Sequence, residues 1–176
     1  GLQPADIGDI FHDTAQVLYE QLMQRTGSRT LGANVLNEVL RQMESRVEPL
    51  LDIVFDVHVF HPLDDKWHMG DRIREMTERG ERPQNEYTGE LIIYRSVIMQ
   101  YLKNLLRYDA QHAPLHIIGT EVDRKFTMDI HPEGASPLVI KTGGRIDRLD
   151  EVEGYVRVVD YKTGNHVPEV RSMEQV

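Results

Sequence analysis

Residues 144–164 read GRIDRLDEVEGYVRVVDYKTG, and this stretch decides the fold. This stretch overlaps two runs that are rich in β-branched side chains, residues 138–150 and 155–163. The acidic, glycine-containing residues 151–154 separate the two runs. Such a pattern predicts two antiparallel strands joined by a four-residue hairpin loop.

The predicted loop determines which carboxylates share a face of the hairpin. With four residues in the loop, Asp147 faces Val158. Residues two apart on a strand point to the same side, so Asp147, Asp160 and Lys162 are expected to project together beside apolar neighbours. A loop one residue longer or shorter would move Asp147 to the opposite face.

The first half of the chain has the periodicity of helices. Apolar residues recur every three to four positions over residues 6–24, 31–43 and 90–109, which predicts three amphipathic helices. Pro49 can occupy the first turn of another helix that reaches about residue 61. Residues 54–60 also alternate like a strand, so a strand is the alternative there.

The remaining segments complete an α+β pattern. Residues 62–89 are dense in charge and are interrupted by Gly80 and Pro83, so we expect an exposed connection with room for a short helix. Residues 117–126 alternate like a strand, and residues 134–137 favour a turn. Helices followed by an antiparallel meander predict a mixed α/β (α+β) architecture in which helices pack on a sheet.

The composition limits the possible functions. The 176 residues make one domain by length, and they include no cysteine. Disulfides, cysteine nucleophiles, thiolate zinc sites and iron–sulfur clusters are therefore excluded, and a reducing, cytoplasmic location is favoured. No apolar run reaches transmembrane length. The net charge of −9 argues against nonspecific coating of DNA, although carboxylates gathered around metal ions would also contribute to it.

The two acids and the lysine of the hairpin suggest a chemistry. Asp147 and Asp160 at the edge of an apolar face would repel each other, and a divalent cation would offset that repulsion. Oxygen ligands without thiolates select Mg²⁺, or Mn²⁺ in its place, over zinc. Lys162 could then orient or help to deprotonate a water, which suits phosphodiester hydrolysis. The structural alternative is a surface ion pair, which would contribute little.

The whole pattern, G-x-x-D, a hairpin loop and D-Y-K-T-G, resembles the PD-(D/E)XK nuclease superfamily, specifically its RecB/AddB-like branch. The resemblance covers about residues 6–24 and 88–164. It implies a restriction-endonuclease-like core with a mixed central sheet flanked by helices. It assigns the catalytic acids to Asp147 and Asp160 and the catalytic lysine to Lys162.

The same resemblance implies further site residues. The branch carries a histidine on an N-terminal helix in a G-x-x-x-H setting, and His12 in GDIFH, residues 8–12, matches it. The implied metal ligands are His12, Asp147, Asp160 and the backbone carbonyl of Tyr161, with Glu121 as a further candidate. From the residues alone, His12 could instead be a packed helical residue and Glu121 a paired strand residue.

The resemblance also implies a function. It points to a Mg²⁺-dependent deoxyribonuclease, an exonuclease of DNA recombination or repair, with DNA as substrate, helicase-like domains in the same full-length protein or complex, and no membrane partner. Residues 1–176 would form a single RecB-like nuclease domain with a helical part, residues 1–111, and a catalytic sheet, residues 112–166. The chain stops before the Q-x-x-x-Y helix usual in the branch, so we expect a C-terminally truncated fragment of a larger protein.

A second class of function stays open at this point. The fold could be a catalytically silent nuclease module that holds DNA or assembles a complex. Loss of a core acid or of the lysine would be its mark, and all three residues are present, which favours the enzyme. No iron–sulfur cluster is expected, because the four cysteines that hold one in some relatives are absent.

Other residues have both a functional and a structural interpretation. His58 and His61 have H-x-x-H spacing, but no acid or cysteine follows at a useful offset, so we expect neither them nor His68 to bind metal. Trp67 could stack on a base or act as a local hydrophobic anchor.

Two further interpretations concern the hairpin. Arg145 and Arg148 could contact phosphate or pair with nearby acids such as Asp150. Tyr161 should point away from Asp160 and pack under the N-terminal helix.

Overall fold

The computed structural model of this chain describes residues 1–122, 127–130, 138–141 and 146–163. The turn expected at residues 134–137, and Arg145, lie outside the described residues. The helices and helical turns are α1 (Pro4–Thr26), α2 (Ala33–Arg41), α3 (Met43–Arg46), α4 (Glu48–Phe55), a π-helical turn (Asp56–Phe60), a 3₁₀ turn (Lys66–His68), α5 (Met69–Glu78) and α6 (Glu90–His112). The strands are β1 (Thr30–Leu31), β2 (Leu115–Val122), β3 (Thr127–Ile130), β4 (Leu138–Lys141), β5 (Ile146–Val152) and β6 (Tyr155–Val159).

The predicted fold class is confirmed: helices lead into a sheet in a mixed α+β arrangement that fits a restriction-endonuclease-like fold. None of the described helices is long and apolar enough to span a membrane.

Helix α1 has clear local reasons for both of its ends. Pro4 stands in its first turn, and the Gln3 backbone N–H donates to the Asp6 carboxylate at 2.8 Å, which completes a capping box. At the other end Gly27 adopts a left-handed conformation with φ 64°, which is typical of a helix C-terminus. The predicted helix over residues 6–24 is thus confirmed and extends slightly at both ends.

Two other segments refine the expectations from sequence. The ambiguous residues 54–60 are helical, as the end of α4 and the π-helical turn. The connection over residues 62–89 contains the short helix for which the sequence left room, the ten-residue α5, but the expectation that this connection is exposed is wrong for one face of the helix. Met69, Ile73 and Met76 are buried there, because their spacing puts them on one face of the helix.

The central sheet has the strand order β1-β2-β5-β6, and β3 pairs with β4 in a second sheet. Every pairing among the described strands is antiparallel. The resemblance implied a mixed sheet, but no parallel pair occurs among the strands that the structure describes.

The hairpin has a shorter loop than predicted. Val152 pairs with Tyr155, so the turn is only Glu153–Gly154, and both of these residues have positive φ, 51° and 80°. Type I′ hairpin turns require this conformation at both central positions. Leu149, rather than Asp147, faces Val158. The predicted register is wrong by two residues, and an even shift leaves each side chain on its predicted face.

The strand predicted over residues 155–163 ends early, at Val159. Asp160 and Lys162 therefore follow β6 rather than lie on it. Tyr161 is 6% exposed and its ring packs edge-on against Phe11 of α1, with centroids 5.4 Å apart. This confirms the expected packing of Tyr161 under the N-terminal helix and fixes the segment that carries Asp160 and Lys162.

Candidate metal centre

Three separate elements bring their polar side chains to one place. His12 of α1, Glu121 of β2 and Asp147 of β5 each offer one ligand atom, and these atoms all lie within 4.8 Å of one another. The sheet accounts for the closeness of the two acids. Thr120 pairs with Arg148 and Val122 pairs with Ile146, so Glu121 and Asp147, which lie between these pairs, are cross-strand neighbours. Helix α1, packed on the sheet, adds the imidazole.

His12 lies between two acceptors. Its Nδ1 is 3.0 Å from Oδ1 of Asp147, and its Nε2 is 2.9 Å from the backbone carbonyl of Tyr161. A carboxylate and a carbonyl can only accept, so His12 carries protons on both nitrogens when both bonds form. Burial acts to lower the pKa of His12, but the hydrogen bond and charge of Asp147 outweigh it and the pKa is raised. A metal ion held by a ring nitrogen of His12 would have to replace one of these protons, because only a neutral imidazole is a ligand.

Asp147 is the most constrained acid of the group. It is 5% exposed, and its Oδ2 accepts the backbone N–H of Tyr161 at 2.6 Å. Burial acts to raise the pKa of Asp147. The contacts with His12, the Tyr161 N–H and the Asp160 side chain lower the pKa by more than burial raises it, so it lies below its usual value. A carboxylate fixed in its ionised form is a ready cation ligand.

Asp160 and Lys162 lie at the open side of this group. Their side chains form an ion pair of 2.7 Å and are 54% and 69% exposed. Asp160 and Lys162 therefore do form the surface ion pair that was the structural alternative in the sequence analysis. Asp160 still reaches Asp147 closely enough to influence its pKa, but it does not belong to the tight cluster of His12, Glu121 and Asp147.

Glu121 has an unusual backbone for its residue type. Its φ is 50°, a left-handed conformation that a side chain bearing a Cβ rarely adopts. The strand register also shifts just before it, between Ile117 and Gly119. Strained residues of this kind persist where the surrounding structure fixes them, and they are common at functional sites.

Gly8 explains the spacing in GDIFH. A Cβ at Gly8 would lie 3.1 Å from Oγ1 of Thr163, so the glycine lets the segment after β6 run close against α1. His12 is one helical turn farther along the same face and therefore reaches the Tyr161 carbonyl.

A cavity of about 720 Å³ opens beside His12 and Glu121. Its lining also includes Asp13, Lys66 and Trp67. It is large enough to admit a nucleotide-sized group next to the clustered ligands.

The three histidines that the sequence offered as alternative ligands, His58, His61 and His68, are each bound to a separate aspartate. The contacts are His58 to Asp13 at 2.7 Å, His61 to Asp56 at 2.8 Å and His68 to Asp65 at 2.7 Å. The H-x-x-H pair therefore does not converge on one point. Sequence reasoning missed Asp13 because it lies 45 residues before His58, and it missed Asp56 and Asp65 because it looked only for acids that follow the histidines.

Arg148 belongs to the interior. It is fully buried, its two Nη atoms donate to Asp109 at 2.7 and 2.8 Å, and its Nε lies 3.0 Å from Asp150. Of the two interpretations, pairing with Asp150 is correct and contact with phosphate is excluded by burial. Asp109 was missed, although an acid on the apolar face of α6 is a signal for a buried cation. The Tyr161 hydroxyl, 3.4 Å from Arg148, links this network to the site.

Comparison with known proteins supplies the family. The profile of the PD-(D/E)XK nuclease superfamily matches residues 1–176. Searches among curated proteins and among solved structures found no match. Because the superfamily match extends over the whole sequence, the chain belongs to the PD-(D/E)XK nuclease superfamily.

Proposed function

We propose that this protein is a metal-dependent DNA nuclease of the RecB/AddB-like branch, an exonuclease of DNA recombination or repair. The observation that carries the proposal is the cluster of His12, Glu121 and Asp147, drawn from three distant parts of the chain. Membership of the superfamily supports nuclease chemistry. The branch rests on GDIFH and DYKTG, whose His12 and Tyr161 contact each other.

The donor set suits a hard divalent cation. Two carboxylates, one imidazole and the Tyr161 carbonyl supply oxygen-rich ligands, and Mg²⁺ or Mn²⁺ prefers such ligands. His12, Asp147 and Tyr161 would hold the ion, with Glu121 and Asp160 as further ligands. The ion would help to generate the nucleophile and stabilise charge on the phosphate.

Lys162 has a different part in the proposed chemistry. Its ammonium is not a metal ligand, and Asp160 holds it 2.7 Å away at the exposed side of the site. There it would orient a water and stabilise the negative charge that develops on the scissile phosphate. The Tyr161 N–H would keep the Asp147 carboxylate oriented, and His12 would also pair with that carboxylate whenever no ion is bound.

A silent nuclease-fold module is the second candidate, and one observation favours it. Asp160 is half exposed and bound to Lys162 rather than gathered with the other ligands. Under this alternative the chain would hold DNA or assemble a complex without cutting. In both cases we infer DNA as the ligand, helicase-like domains as partners in the same protein or complex, and a cytoplasmic location.

Degradation of end-labelled DNA separates the two candidates. The wild type should shorten the DNA with Mg²⁺ or Mn²⁺ and stop when a chelator is added, and 5′ against 3′ labels give the polarity. Asp160→Ala should reduce the rate at least about 100-fold. Glu44→Ala, which removes an exposed acid of α3, is the matched control and should cut like the wild type. Equal rates for Asp160→Ala and Glu44→Ala would contradict the proposal.

A further inference from the structure

Trp67 is the most exposed large apolar side chain described, with 91% of its surface accessible. It is not the hydrophobic anchor that one interpretation of the sequence favoured. Met69, two residues later, is 9% exposed and has that role. An indole left in water stabilises nothing within the folded chain, because burial is the source of its hydrophobic contribution.

The backbone that carries Trp67 is nevertheless well fixed. Oδ1 of Asp65 accepts the Trp67 N–H at 2.9 Å, and Oδ2 of Asp65 binds the His68 ring at 2.7 Å. Helix α5 begins directly afterwards at the buried Met69. The indole is therefore presented on a short capped turn, which limits the entropy lost when a ligand binds to it.

Trp67 and Lys66 line the same cavity as His12 and Glu121. Lys66 is exposed and forms no ion pair with any other residue that the structure describes. Arg74, also in the cavity, is bound by Glu20 at 2.8 and 3.0 Å. An ammonium without an ion-pair partner among the described residues and an exposed indole are thus neighbours in the lining of the cavity that also contains His12 and Glu121.

We propose that Trp67 and Lys66 form a subsite for an unpaired nucleotide of the DNA strand that enters the metal centre. The indole stacks on the base, and the Lys66 ammonium binds the adjoining phosphate. A base inside a blunt duplex has both faces covered by its neighbours, so the subsite favours single-stranded or frayed ends. This inference rests on the proposed function, because it names the form of DNA that the same groove accepts.

The chain offers a direct optical probe, because Trp67 is its only tryptophan. The wild type is titrated with a single-stranded oligothymidylate in Ca²⁺, which is used in place of Mg²⁺ to limit cleavage. Stacking should quench the tryptophan fluorescence, whereas a blunt two-stranded duplex of equal length, which has no unpaired loop, should leave it nearly unchanged. Equal quenching by both DNAs, or by neither, would overturn the subsite.

Three variants separate stacking from mere apolar contact. By fluorescence polarisation of a labelled oligothymidylate, Trp67→Leu should weaken binding about 5- to 150-fold, the range expected for one stacked base. Trp67→Phe should retain most of the affinity, since it keeps an aromatic face. Tyr155→Leu, which alters another exposed aromatic at the hairpin turn, should bind like the wild type. Leucine and phenylalanine variants of equal affinity would contradict the proposal.

Failure of the Trp67 subsite can be distinguished from failure of the nuclease proposal. If DNA is not cut but oligothymidylate still quenches Trp67, the subsite stands on a silent module. If DNA is cut and Trp67→Leu degrades single strands at the wild-type rate, the nuclease stands and the subsite is wrong.

Discussion

Replacing Arg148 by methionine should destabilise the protein by about 3–5 kcal/mol, the usual cost of removing one partner from a buried ion pair. Arg148 has no exposed surface, and its guanidinium makes two short hydrogen bonds to Asp109 and approaches Asp150. Methionine fills part of the same space without charge, so the effect reports the electrostatic loss more than a cavity.

The structure shows where the uncompensated charge would lie. Asp150 keeps its two hydrogen bonds from Arg157, at 2.7 and 2.8 Å. Asp109 keeps only the hydroxyl of Tyr19 and a distant Arg157, 3.9 Å away. One buried carboxylate is therefore stranded, and the melting temperature should fall by about 6–20 °C for a chain of this size.

The free energy of unfolding is best measured by urea denaturation with far-UV circular dichroism, since the exposed Trp67 reports little on unfolding. Arg79→Met is the matched control, because Arg79 is 60% exposed and pairs with Glu75 on the surface; its loss should stay below about 1 kcal/mol. Adding Asp109→Asn to Arg148→Met should recover part of the stability. If Arg148→Met and Arg79→Met unfold alike, the buried network does not stabilise the fold as argued.

Three further outcomes are expected. Without metal, the stabilisation by the His12–Asp147 pair should be complete between pH 3.8 and pH 6.5, the ordinary pKa values of the two groups. It should disappear as the pH rises through the raised pKa of His12 and as the pH falls through the lowered pKa of Asp147. Thermal melts of His12→Ala should lack the alkaline loss. Mg²⁺ at 100 times its dissociation constant should stabilise the wild type by about 2.7 kcal/mol and leave Asp147→Asn unchanged, as melting temperatures will show. Gly8→Val should reduce DNA cleavage, because its side chain would displace Thr163, whereas Gly27→Ala, far from the site, should not.

Local pattern was sufficient to predict α1, α6 and the face of the hairpin on which Asp147 lies. The 3.6-residue period located α1 and α6, and alternation with period two put Asp147 and the segment after β6 on one side. The two-residue length of the loop could not be predicted from the sequence, because a two-residue turn here requires a left-handed conformation at Glu153, and glutamate rarely adopts one. The predicted face of Asp147 was still correct, because the error in register was an even number of residues.

Contacts between distant parts of the chain were beyond local pattern. Arg148 and Asp109 are 39 residues apart, and Asp13 and His58 are 45 apart. Nothing in the spacing of such pairs indicates that they meet, since Arg148 meets Asp109 where α6 packs beside β5, and Asp13 meets His58 where α1 packs beside the π-helical turn. His12 was placed beside Asp147 by the family resemblance rather than by periodicity, and Trp67 could be assigned to solvent only from the structure.

The rate at which Lys162→Ala degrades end-labelled DNA in saturating Mg²⁺ tests the proposed nuclease chemistry most directly. Lys162 is exposed and pairs with Asp160 at 2.7 Å, so its loss should leave the fold intact. The variant should keep the stabilisation by Mg²⁺, because an ammonium is not a metal ligand, and should lose cleavage by about 100-fold or more. A Lys162→Ala protein that cuts DNA at the wild-type rate would contradict the account.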